Sequence, residues 1–323
     1  MNNPILYLSR QDVERVNLEI QTMITLLETA FQEKGLGKTE APPKPGIHPG
    51  EDSFLHAMLG YIPAMKSAGI KWVSAFPENP KRGLPYIAGL IILNNVDSGL
   101  PYAIMDATWI TAYRTAGASA LSAKYLARPE SQSLGILGCG VQGKTHLEAM
   151  AALFDLEKVY TYDINDHVQQ QYVKEMTEKT DLNIIPVNTP EEALQYSDLV
   201  VTAGPLLKQP HATIHSDWLQ AGAFASAVDY DSYWSRAALN QVDKLATDDL
   251  KQMDFYRQKG YFQDMQEPYA DLGEIAAGIK PGRTHSEERI IAMNLGLAID
   301  DMAVAPEIYR RAKQAGIGTW LSL

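Results

Sequence analysis

A six-residue glycine turn near the middle of the chain sets the tightest limit on its fold. Gly138-Cys139-Gly140-Val141-Gln142-Gly143 follows the short apolar stretch 134–137 and opens a helical pattern. In a strand–turn–helix unit the first glycine allows the tight turn, the second lets the backbone approach a pyrophosphate, and the third lets the helix pack close to the strand. The N–H groups and dipole at the start of that helix attract phosphate. The turn therefore predicts a dinucleotide site, although the same spacing also occurs in glycine turns that are only structural.

An acidic residue stands where such a site would meet the ribose of its ligand. Asp163 ends the next strand-like stretch, 20 positions beyond Gly143. A carboxylate here accepts a hydrogen bond from the ribose 2′-hydroxyl and repels a 2′-phosphate, so the sequence predicts NAD rather than NADP. The alternative is that Asp163 only opens the turn at 163–166. Cys139 has no histidine beside it and is interpreted as a small packing residue, not a nucleophile.

The alternation of strands and helices after residue 133 predicts the fold class. Short connections between apolar strands and helices are typical of a parallel sheet covered on both faces. We therefore predict an α/β fold with a Rossmann-type doubly wound parallel sheet and a second α+β domain. The predicted strands of the parallel sheet are 134–137, 158–162, 182–187, 198–203, 223–228 and 289–294.

The first part of the chain has a different pattern. Strand-like runs at 69–74 and 86–94 stand between proline and glycine turns, and residues 115–127 form a predicted helix of small residues. The last helical pattern, 297–315, is expected to return to this part of the chain. With 323 residues the chain is long enough for two domains. The predicted domains are 1–128, completed by 299–323, and a dinucleotide-binding domain at 129–298.

Composition excludes several classes of protein and partner. The net charge of −11, with no run of Lys or Arg to offset it, argues against a nucleic-acid partner. No window approaches 18 uninterrupted apolar residues, so no membrane span is predicted. Residues 1–4 lack the basic and apolar segments of a signal peptide, and a single cysteine, Cys139, cannot form an internal disulfide. We expect a cytoplasmic protein, and no metal site is predicted.

Cations set among apolar or small residues are candidates for substrate binding. Lys71 lies within a strand-like run, Arg114 precedes the small-residue helix, and Lys44 stands among prolines. A cation beside a helix N-terminus creates an anion site, which favours Arg114. The alternatives are a solvated edge position for Lys71 and a surface ion pair for Arg114.

Two acidic residues are candidates for proton transfer. Asp229 and Asp231 directly follow the predicted strand 223–228. Doubly wound folds place their chemistry at the carboxyl ends of such strands. An aspartate in a turn is also common for purely local reasons, so position alone does not choose between the two.

Taken together, these residues resemble the ornithine cyclodeaminase/mu-crystallin family over nearly the whole chain. The order and spacing of the matching stretches are far more specific than the glycine turn alone. The resemblance implies a dimer whose first domain binds the substrate and carries the subunit contact, followed by a Rossmann domain. The matching stretches are 69–73, 77–80, 89–94, 105–108, 114–116, 123–127, the glycine turn and 294–299.

The resemblance also implies roles for single residues on the substrate side. Lys71 and Arg114 match the family's ligands for the substrate carboxylate, and Lys44 stands near where many members have an arginine with that role. Asp231, rather than Asp229, matches the acidic residue that handles the proton on the substrate nitrogen. Lys71 and Asp231 are therefore the expected catalytic residues.

On the cofactor side, the resemblance adds residues to Gly138, Gly140, Val141, Gln142, Gly143 and Asp163. Thr115 would hydrogen-bond to the pyrophosphate, and Thr202 would line the cofactor cleft. Leu295 and Gly296 would lie by the nicotinamide.

The activities of the family differ, and one residue of this chain helps to choose among them. Members include redox-neutral cyclodeaminases, amino-acid dehydrogenases, imine reductases, enzymes of opine-like condensation and a hormone-binding crystallin. Ornithine-cyclising members have a carboxylate about where this chain has His56, so the distal amine of ornithine would lose its partner here. His56 is instead expected among the substrate-binding residues. The stretch Gly204-Pro205-Leu206-Leu207, after Thr202, is an unusual feature of the cleft wall.

The leading hypothesis is reversible hydride transfer between NAD(H) and a small α-amino or α-imino carboxylate. Two alternatives stay open. One is a cyclodeaminase, which releases ammonia with no net change in NADH. The other is a crystallin-like protein that binds a ligand without turnover.

Overall fold

A computed structural model describes residues 4–50 and 52–322. Residues 1–3, part of the segment compared with a signal peptide, lie outside the described residues. The chain divides into two compact units: unit 1 is Met1–Arg114 with Gly296–Leu323, and unit 2 is Thr115–Leu295. The changes therefore fall at 114/115 and 295/296, whereas the sequence predicted 128/129 and 298/299. The change at 114/115 lies inside the helix Thr108–Leu126.

The described residues form the following helices and strands. In the first part they are β1 (Pro4–Leu8), α1 (Arg10–Val16), α2 (Ile20–Gly35), β2 (Gly46–Gly50), β3 (Ser53–Ile62), β4 (Ser67–Ala75), β5 (Ile87–Asn94), β6 (Pro101–Asp106) and α3 (Thr108–Leu126). Then come β7 (Ser133–Leu137), α4 (Val141–Ala151), β8 (Lys158–Tyr162), α5 (Asp166–Thr180), β9 (Asn183–Pro186), α6 (Pro190–Gln195), β10 (Leu199–Thr202), β11 (Phe224–Ala227), α7 (Arg236–Gln241) and β12 (Lys244–Thr247). The last are α8 (Leu250–Arg257), β13 (Ala270–Asp271), α9 (Leu272–Ala276), β14 (Ile290–Met293), α10 (Ala298–Ala315) and β15 (Thr319–Ser322).

Unit 1 is built on a seven-stranded sheet in the order β15-β1-β6-β5-β4-β3-β2. Strands β1 and β6 pair in parallel, and the other neighbouring strands named in this order pair antiparallel. Successive side chains on a strand point to opposite faces of the sheet. In β4, Lys71 and Val73 are therefore buried on one face, whereas Trp72, on the other, is 42% exposed.

Helix α10 packs on the buried face of this sheet. Gly60 of β3 permits the close approach, because a Cβ there would lie 2.8 Å from Cγ of Met302. The Ser67 hydroxyl donates a hydrogen bond to the carbonyl oxygen of Met302 at 2.6 Å. These contacts place the first turns of α10 beside β3 and β4.

Unit 2 is an eight-stranded sheet in the order β13-β12-β14-β11-β10-β7-β8-β9, with every pair parallel. Strands β10 and β14 are buried along their whole length, as expected for a sheet covered by helices on both faces. The chain runs outward from β7 to β9 and then returns to β10 on the other side of β7. Doubly wound folds bind ligands where the strand order reverses in this way. The predicted α/β Rossmann-type fold is confirmed.

The described parts of the chain, 4–50 and 52–322, contain no helix that is both long and apolar enough to span a bilayer.

Candidate active site

Two buried cations of unit 1 are each paired with a buried carboxylate. Lys71 is fully buried, with Nζ 2.7 Å from Oδ2 of Asp301 and a hydrogen bond of 2.8 Å to its Oδ1. Arg114, in α3, donates from Nη1 to Oδ2 of Asp300 at 2.7 Å. The Nε atom of Arg114 lies 3.5 Å from Oδ1 of Asp301. Asp301 is thus a neighbour of both cations, and the structure brings Lys71 and Arg114 together.

The two carboxylates come from the first turn of α10. Asp300 also accepts a hydrogen bond from the backbone N–H of Leu297 at 3.0 Å, so it caps the helix that carries it. The helix dipole stabilises negative charge at this end. Adjacent residues on a helix point about 100° apart, which lets Asp300 and Asp301 reach different cations.

Burial controls the electrostatics of this cluster. It lowers the pKa of Lys71 to about 8, with the positive charge of Arg114 as the next cause and the Asp301 carboxylate acting in the opposite direction. Burial raises the pKa of Asp300, and the charge of Arg114 opposes that rise. Buried charges persist when they are paired and hydrogen-bonded. The cluster therefore holds two cations whose orientation is fixed in advance.

The alternative of a solvated edge position for Lys71 is wrong. Strand β4 lies in the interior of the sheet, paired with β3 on one side and β5 on the other. The lysine occupies the face that α10 covers, where Asp301 supplies the opposite charge. A long-range partner thus makes burial of this lysine possible.

Three other residues lie in neighbouring segments of unit 1. Met58 is directly opposite Lys71 in the β3–β4 pairing, and His56 is two residues before Met58. Side chains two residues apart on a strand share a face. His56 is opposite Gly46 of β2, and Lys44 lies two residues before that glycine. Both His56 and Lys44 are buried.

The glycine turn of unit 2 uses its three glycines for different purposes. Gly138 has φ +98°, and a Cβ there would lie 2.6 Å from the carbonyl oxygen of Ala203. A Cβ at Gly143 would lie 2.3 Å from the carbonyl oxygen of Gly138. At Gly140, the N-cap of α4, a Cβ would meet no atom within 4 Å. The outer glycines are required by the protein's own packing, whereas Gly140 faces the open cradle that a pyrophosphate needs.

The side chains within the turn also fit a bound dinucleotide. Val141 is 65% exposed at the start of α4. The side-chain oxygen of Gln142 is buried, and it has no hydrogen-bond partner within residues 4–50 and 52–322. An unsatisfied buried oxygen is costly unless a ligand or water serves it. The backbone N–H groups and the open space at the start of α4 therefore suit a phosphate, and the Gln142 oxygen suits a ligand group that donates a hydrogen bond.

Asp163 follows β8 and is hydrogen-bonded to the turn itself. Its Oδ2 accepts from the backbone N–H of Cys139 at 2.8 Å, and its Oδ1 accepts from the N–H of Asn165 at 2.9 Å. The carboxylate thus lies at the β8 side of the turn, where the ribose of a dinucleotide is expected.

Burial raises the pKa of the Cys139 thiol to about 12, which disfavours the reactive thiolate.

The carboxyl ends of β10 and β11 meet in a hydrogen-bond network around Asp229. The Thr202 hydroxyl donates to Oδ1 of Asp229 at 2.6 Å, and the N–H of Gly204 donates to Oδ2 at 2.9 Å. The indole N–H of Trp234 donates to Thr202 Oγ1 at 3.3 Å. Burial raises the pKa of Asp229 to about 7, with the charge of Asp231 as a smaller cause and the hydrogen bonds acting against it.

Asp231 differs from Asp229 in having a cation beside it. Arg236 donates from Nη1 to Oδ2 of Asp231 at 2.8 Å, and Asp231 is 1% exposed. Its Oδ1 is buried and has no hydrogen-bond partner in the part of the chain that the structure describes. Tyr230, between the two aspartates, has φ +62°, a backbone region that non-glycine residues seldom occupy and that is found at functional sites.

Asp300, Asp301 and Arg236 were not among the site residues predicted from the sequence. A signal for the first two was present, because two adjacent carboxylates stand between Ile299 and Met302 in an apolar helical pattern. Buried carboxylates in such a pattern require partners. Arg236 carried no signal of its own, since an arginine after a turn is ordinary.

The family of the chain follows from comparison with known proteins. The profile of the ornithine cyclodeaminase/mu-crystallin family matches residues 5–316. The chain belongs to this family. The resemblance inferred from the sequence is therefore confirmed.

Known proteins are similar to this chain over almost their whole length. Alanine dehydrogenase from Archaeoglobus fulgidus is 33% identical over 323 residues, covering 97% of each chain. Δ1-pyrroline-2-carboxylate reductase from Thermococcus litoralis, solved in complex with NADH and L-proline, has a TM-score of 0.89 at 32% identity. An archaeal alanine dehydrogenase, solved as a dimer with bound NAD, has a TM-score of 0.88 at 32% identity. Both structures match 98% of this chain and 99% of their own.

In this family member the predicted site residues divide between the two units. Unit 1 holds the substrate-side residues and Gly296, and unit 2 holds the cofactor-side residues and Asp231. Thr115 follows Arg114 in α3, and the carbonyl oxygen of Leu295 accepts a hydrogen bond from the Tyr230 hydroxyl at 3.3 Å. Across residues 4–50 and 52–322, no group of three or more His, Cys, Asp or Glu side chains is arranged to hold a metal ion.

Proposed function

We propose that this protein is an NAD(H)-dependent oxidoreductase that acts on the C–N bond of a small α-amino or α-imino carboxylate, as an amino-acid dehydrogenase or an imine reductase. The observation that carries the proposal is the buried pair of cations, Lys71 and Arg114, held by Asp301 and Asp300. Related proteins at 32% identity, solved with NADH and L-proline or with NAD, support both the cofactor and the substrate class.

Lys71 and Arg114 bind the carboxylate of the substrate in this proposal. A guanidinium can form two parallel hydrogen bonds to a carboxylate, which fixes its orientation as well as its position. Because Asp300 already orients Arg114, little side-chain freedom is lost when the substrate binds. Lys44 and His56 complete the substrate side of the site.

Asp231 handles the proton on the substrate nitrogen. When the amino acid is oxidised, the Cα–H bond breaks, a C=N bond forms and the nitrogen releases a proton. Oδ1 of Asp231, which has no partner among the described residues, accepts that proton and returns it in the reverse direction. NAD(H), when bound, supplies or accepts the hydride. Positioning and proton transfer are therefore the work of the protein.

The cofactor-binding residues belong to the same proposal. Gly138, Gly140, Val141, Gln142 and Gly143 hold the pyrophosphate at the start of α4, and Asp163 binds the ribose. The remaining cofactor contacts in the proposal are Thr115, Thr202, Leu295 and Gly296.

We also propose that the protein is a homodimer formed through the outer face of the unit 1 sheet. Leu59, Trp72 and Leu90 on this face are 45%, 42% and 44% exposed, and Trp72 is directly opposite Leu90. A row of large exposed apolar side chains on a sheet marks a protein contact. The dimeric archaeal alanine dehydrogenase supports a second copy of the chain as the occupant. A cytoplasmic location is part of the proposal, supported by the single cysteine.

An assay that measures NADH and ammonia in the same reaction tests the proposed activity. Purified protein is given NAD with L-alanine, L-proline or L-ornithine, and NADH with Δ1-pyrroline-2-carboxylate or with pyruvate and ammonium. Nicotinamide absorbance and ammonia are followed together. We expect a stoichiometric change in NADH with at least one substrate. Ammonia release without net change in NADH would indicate a cyclodeaminase, and binding by calorimetry without turnover would indicate a crystallin-like protein.

A further inference from the structure

Two buried aspartates flank Tyr230, and their surroundings differ in one respect. Asp229 accepts hydrogen bonds from neutral donors, the hydroxyl of Thr202 and the N–H of Gly204. Asp231 accepts one from the guanidinium of Arg236 at 2.8 Å. Two carboxylates that share a buried region repel each other when both are ionised. The surroundings therefore decide which of them keeps its negative charge.

We propose that Arg236 is a positioning residue that holds Asp231 through Oδ2, balances the charge of its carboxylate, and leaves Oδ1 of Asp231 available for the proton of the substrate nitrogen. This inference rests on the proposed function, because it assigns a role to Arg236 in the same reaction. Arg236 acts through Asp231 and makes no contact of its own with the substrate.

The geometry of the pair supports this role. Arg236 binds only Oδ2, so the carboxylate is held at one oxygen while the other has no partner among the described residues. The Arg236 side chain is 31% exposed, whereas that of Asp231 is 1% exposed. The guanidinium therefore remains partly hydrated and brings positive charge to a carboxylate that water does not reach.

The backbone on both sides of the pair is also fixed. Arg236 is the first residue of α7, and the N-cap Ser235 accepts a hydrogen bond from the N–H of Ala238 at 3.1 Å. The hydroxyl of Tyr230 donates to the carbonyl oxygen of Leu295. Because the start of α7 and the segment around Tyr230 are both held by these hydrogen bonds, we expect the backbone to stay in place when the guanidinium is removed. The main effect is then that Asp231 loses the positive charge beside it.

The ionisable groups near the pair agree with the assignment. Among the described residues the hydrogen-bond donors to Asp229 include no cation, and burial raises its pKa to about 7. Burial also raises the pKa of Tyr230 well above its usual value, with Tyr256 and Asp248 as further causes, so Tyr230 stays neutral. Arg236 is thus the cation hydrogen-bonded to Asp231, and Asp229 is a neighbouring carboxylate.

Kinetics of three variants of the full-length protein test the proposal. Arg236→Met removes the charge, Arg236→Lys retains it, and Arg257→Met serves as the matched control. Arg257, at the end of α8 in unit 2, also forms an ion pair, with Nη1 2.8 Å from Oε2 of Glu267. It has no role in the proposed site. We expect Arg236→Met to lower kcat at pH 7 by about 100-fold, which is the lower end of the rate enhancement that one general acid or base contributes. The NADH dissociation constant should be unchanged. The acidic limb of its pH profile should move at least one pH unit higher, and Arg236→Lys should recover most of the activity.

Two kinetic results would overturn the proposal. One is normal turnover by Arg236→Met. The other is a loss of activity with an unchanged pH profile and no rescue by lysine, which would show that Arg236 has only a structural role. If neither the parent nor Arg257→Met turns over any substrate, it is the proposed function that fails.

A second measurement tests Arg236 without turnover. Protein labelled with 13C at the aspartate carboxyl carbons is titrated by NMR, and Asp229→Asn identifies the signal of Asp229. We expect the Asp231 signal to titrate at a higher pH in Arg236→Met than in the parent, because the positive charge that opposes protonation is removed. Identical titration curves for Asp231 in the two proteins would overturn the proposal, whether or not the enzyme is active.

Discussion

The guanidinium of Arg114 occupies the space that a side chain at Gly296 would need. A Cβ at Gly296 would lie 2.6 Å from Nη1 of Arg114 and 3.2 Å from its Cζ. Gly296 also has φ +76°, a backbone conformation that glycine adopts without strain. Gly296, which the family resemblance implies is beside the nicotinamide, therefore also leaves room for the cation proposed to bind the substrate carboxylate.

Gly296→Ala should weaken substrate binding more than it weakens folding. The new methyl group displaces the guanidinium, so we expect KM for the carboxylate substrate to rise about tenfold or more. Backbone strain should lower the free energy of unfolding by about 1–2 kcal/mol. Gly316→Ala is the matched control, since Gly316 has φ +66° but no atom within 4 Å of a Cβ. Equal KM values for the two variants, measured by initial rates, would contradict this explanation.

The ion pair between Lys71 and Asp301 predicts an unusual pattern of stability. Lys71→Met leaves the Asp301 carboxylate buried without its main partner, so unfolding free energy should fall by about 3–5 kcal/mol. The double variant Lys71→Met/Asp301→Asn removes both charges and should regain at least half of that loss. Neither variant should turn over substrate, because the substrate's carboxylate has lost Lys71, one of its two proposed ligands. Urea unfolding and initial rates measure the two effects.

Lys66→Ala is the control for the loss of a lysine from the same part of the chain. Lys66 lies just before β4 and outside the buried cluster, and its replacement should leave activity within twofold. If Lys71→Met turned over substrate as fast as Lys66→Ala, the assignment of the carboxylate site would be wrong.

The sequence predicted the parallel sheet well because its strands are short, apolar and separated by clear turns. Each of the six predicted strands of unit 2 is present, but β12 and β13 were not predicted. Lys244–Thr247 contains two polar residues in four, and Ala270–Asp271 has only two residues, so neither has a usable pattern. Their position in the sheet comes from pairing with strands already formed.

In unit 1, too, strands form by pairing with their neighbours and not because their own sequence favours a strand. Strand β3 contains His56, Ala57 and Gly60, residues that do not favour strands, and it forms because β2 and β4 pair with it on both sides. Near the amino end the chain forms two separate helices, α1 and α2. Asn17, which follows α1, has φ 45° and ends that helix.

The candidate site was predictable residue by residue but not pair by pair. The cations Lys71 and Arg114 were found from their apolar or small neighbours. Their partners lie 230 and 186 positions away along the chain, on α10. Such separations have no local signature, because they depend on where the returning helix packs. The sequence therefore indicated the two cations, whereas the carboxylates that pair with them became apparent only in the folded structure.

Trp72→Arg should convert the proposed dimer into a monomer. An arginine in the centre of the apolar face, opposite Leu90, would bury an unpaired charge in the subunit contact. We expect light scattering after size-exclusion chromatography to give half the parent's molar mass. Leu36→Arg, at a 52% exposed position after α2, is the control and should not change the mass. A dimeric Trp72→Arg protein would place the contact elsewhere.

Gly140→Ala should weaken cofactor binding without a cost in stability. No atom lies within 4 Å of a Cβ at this position, so the folded protein accepts the methyl group. The methyl group enters the space proposed for the pyrophosphate, and we expect the NADH dissociation constant to rise at least tenfold. Gly50→Ala, another glycine with room for a Cβ, should bind NADH as the parent does. Fluorescence titration with NADH separates the two variants, and equal affinities would argue against this cradle.

Asp229→Asn should change how stability depends on pH. The folded protein holds the pKa of Asp229 at about 7, above its usual 3.8, so the folded state binds this proton more tightly than the unfolded chain does. The parent therefore loses stability as pH rises from about 4 to 7, at about 1.4 kcal/mol per pH unit. An asparagine does not titrate, so the variant escapes this loss.

The comparison of interest is thus the difference in unfolding free energy between Asp229→Asn and the parent at two pH values. From pH 5 to pH 8 this difference should shift in favour of the variant by about 2–3 kcal/mol, whatever the variant loses from altered hydrogen bonds to Thr202 and Gly204. Asp155→Asn, at an exposed position, controls for the loss of one negative charge. Urea unfolding at both pH values measures the shift. A difference that stays constant would mean that Asp229 is already ionised throughout, and that its neutral donors suffice to hold the charge.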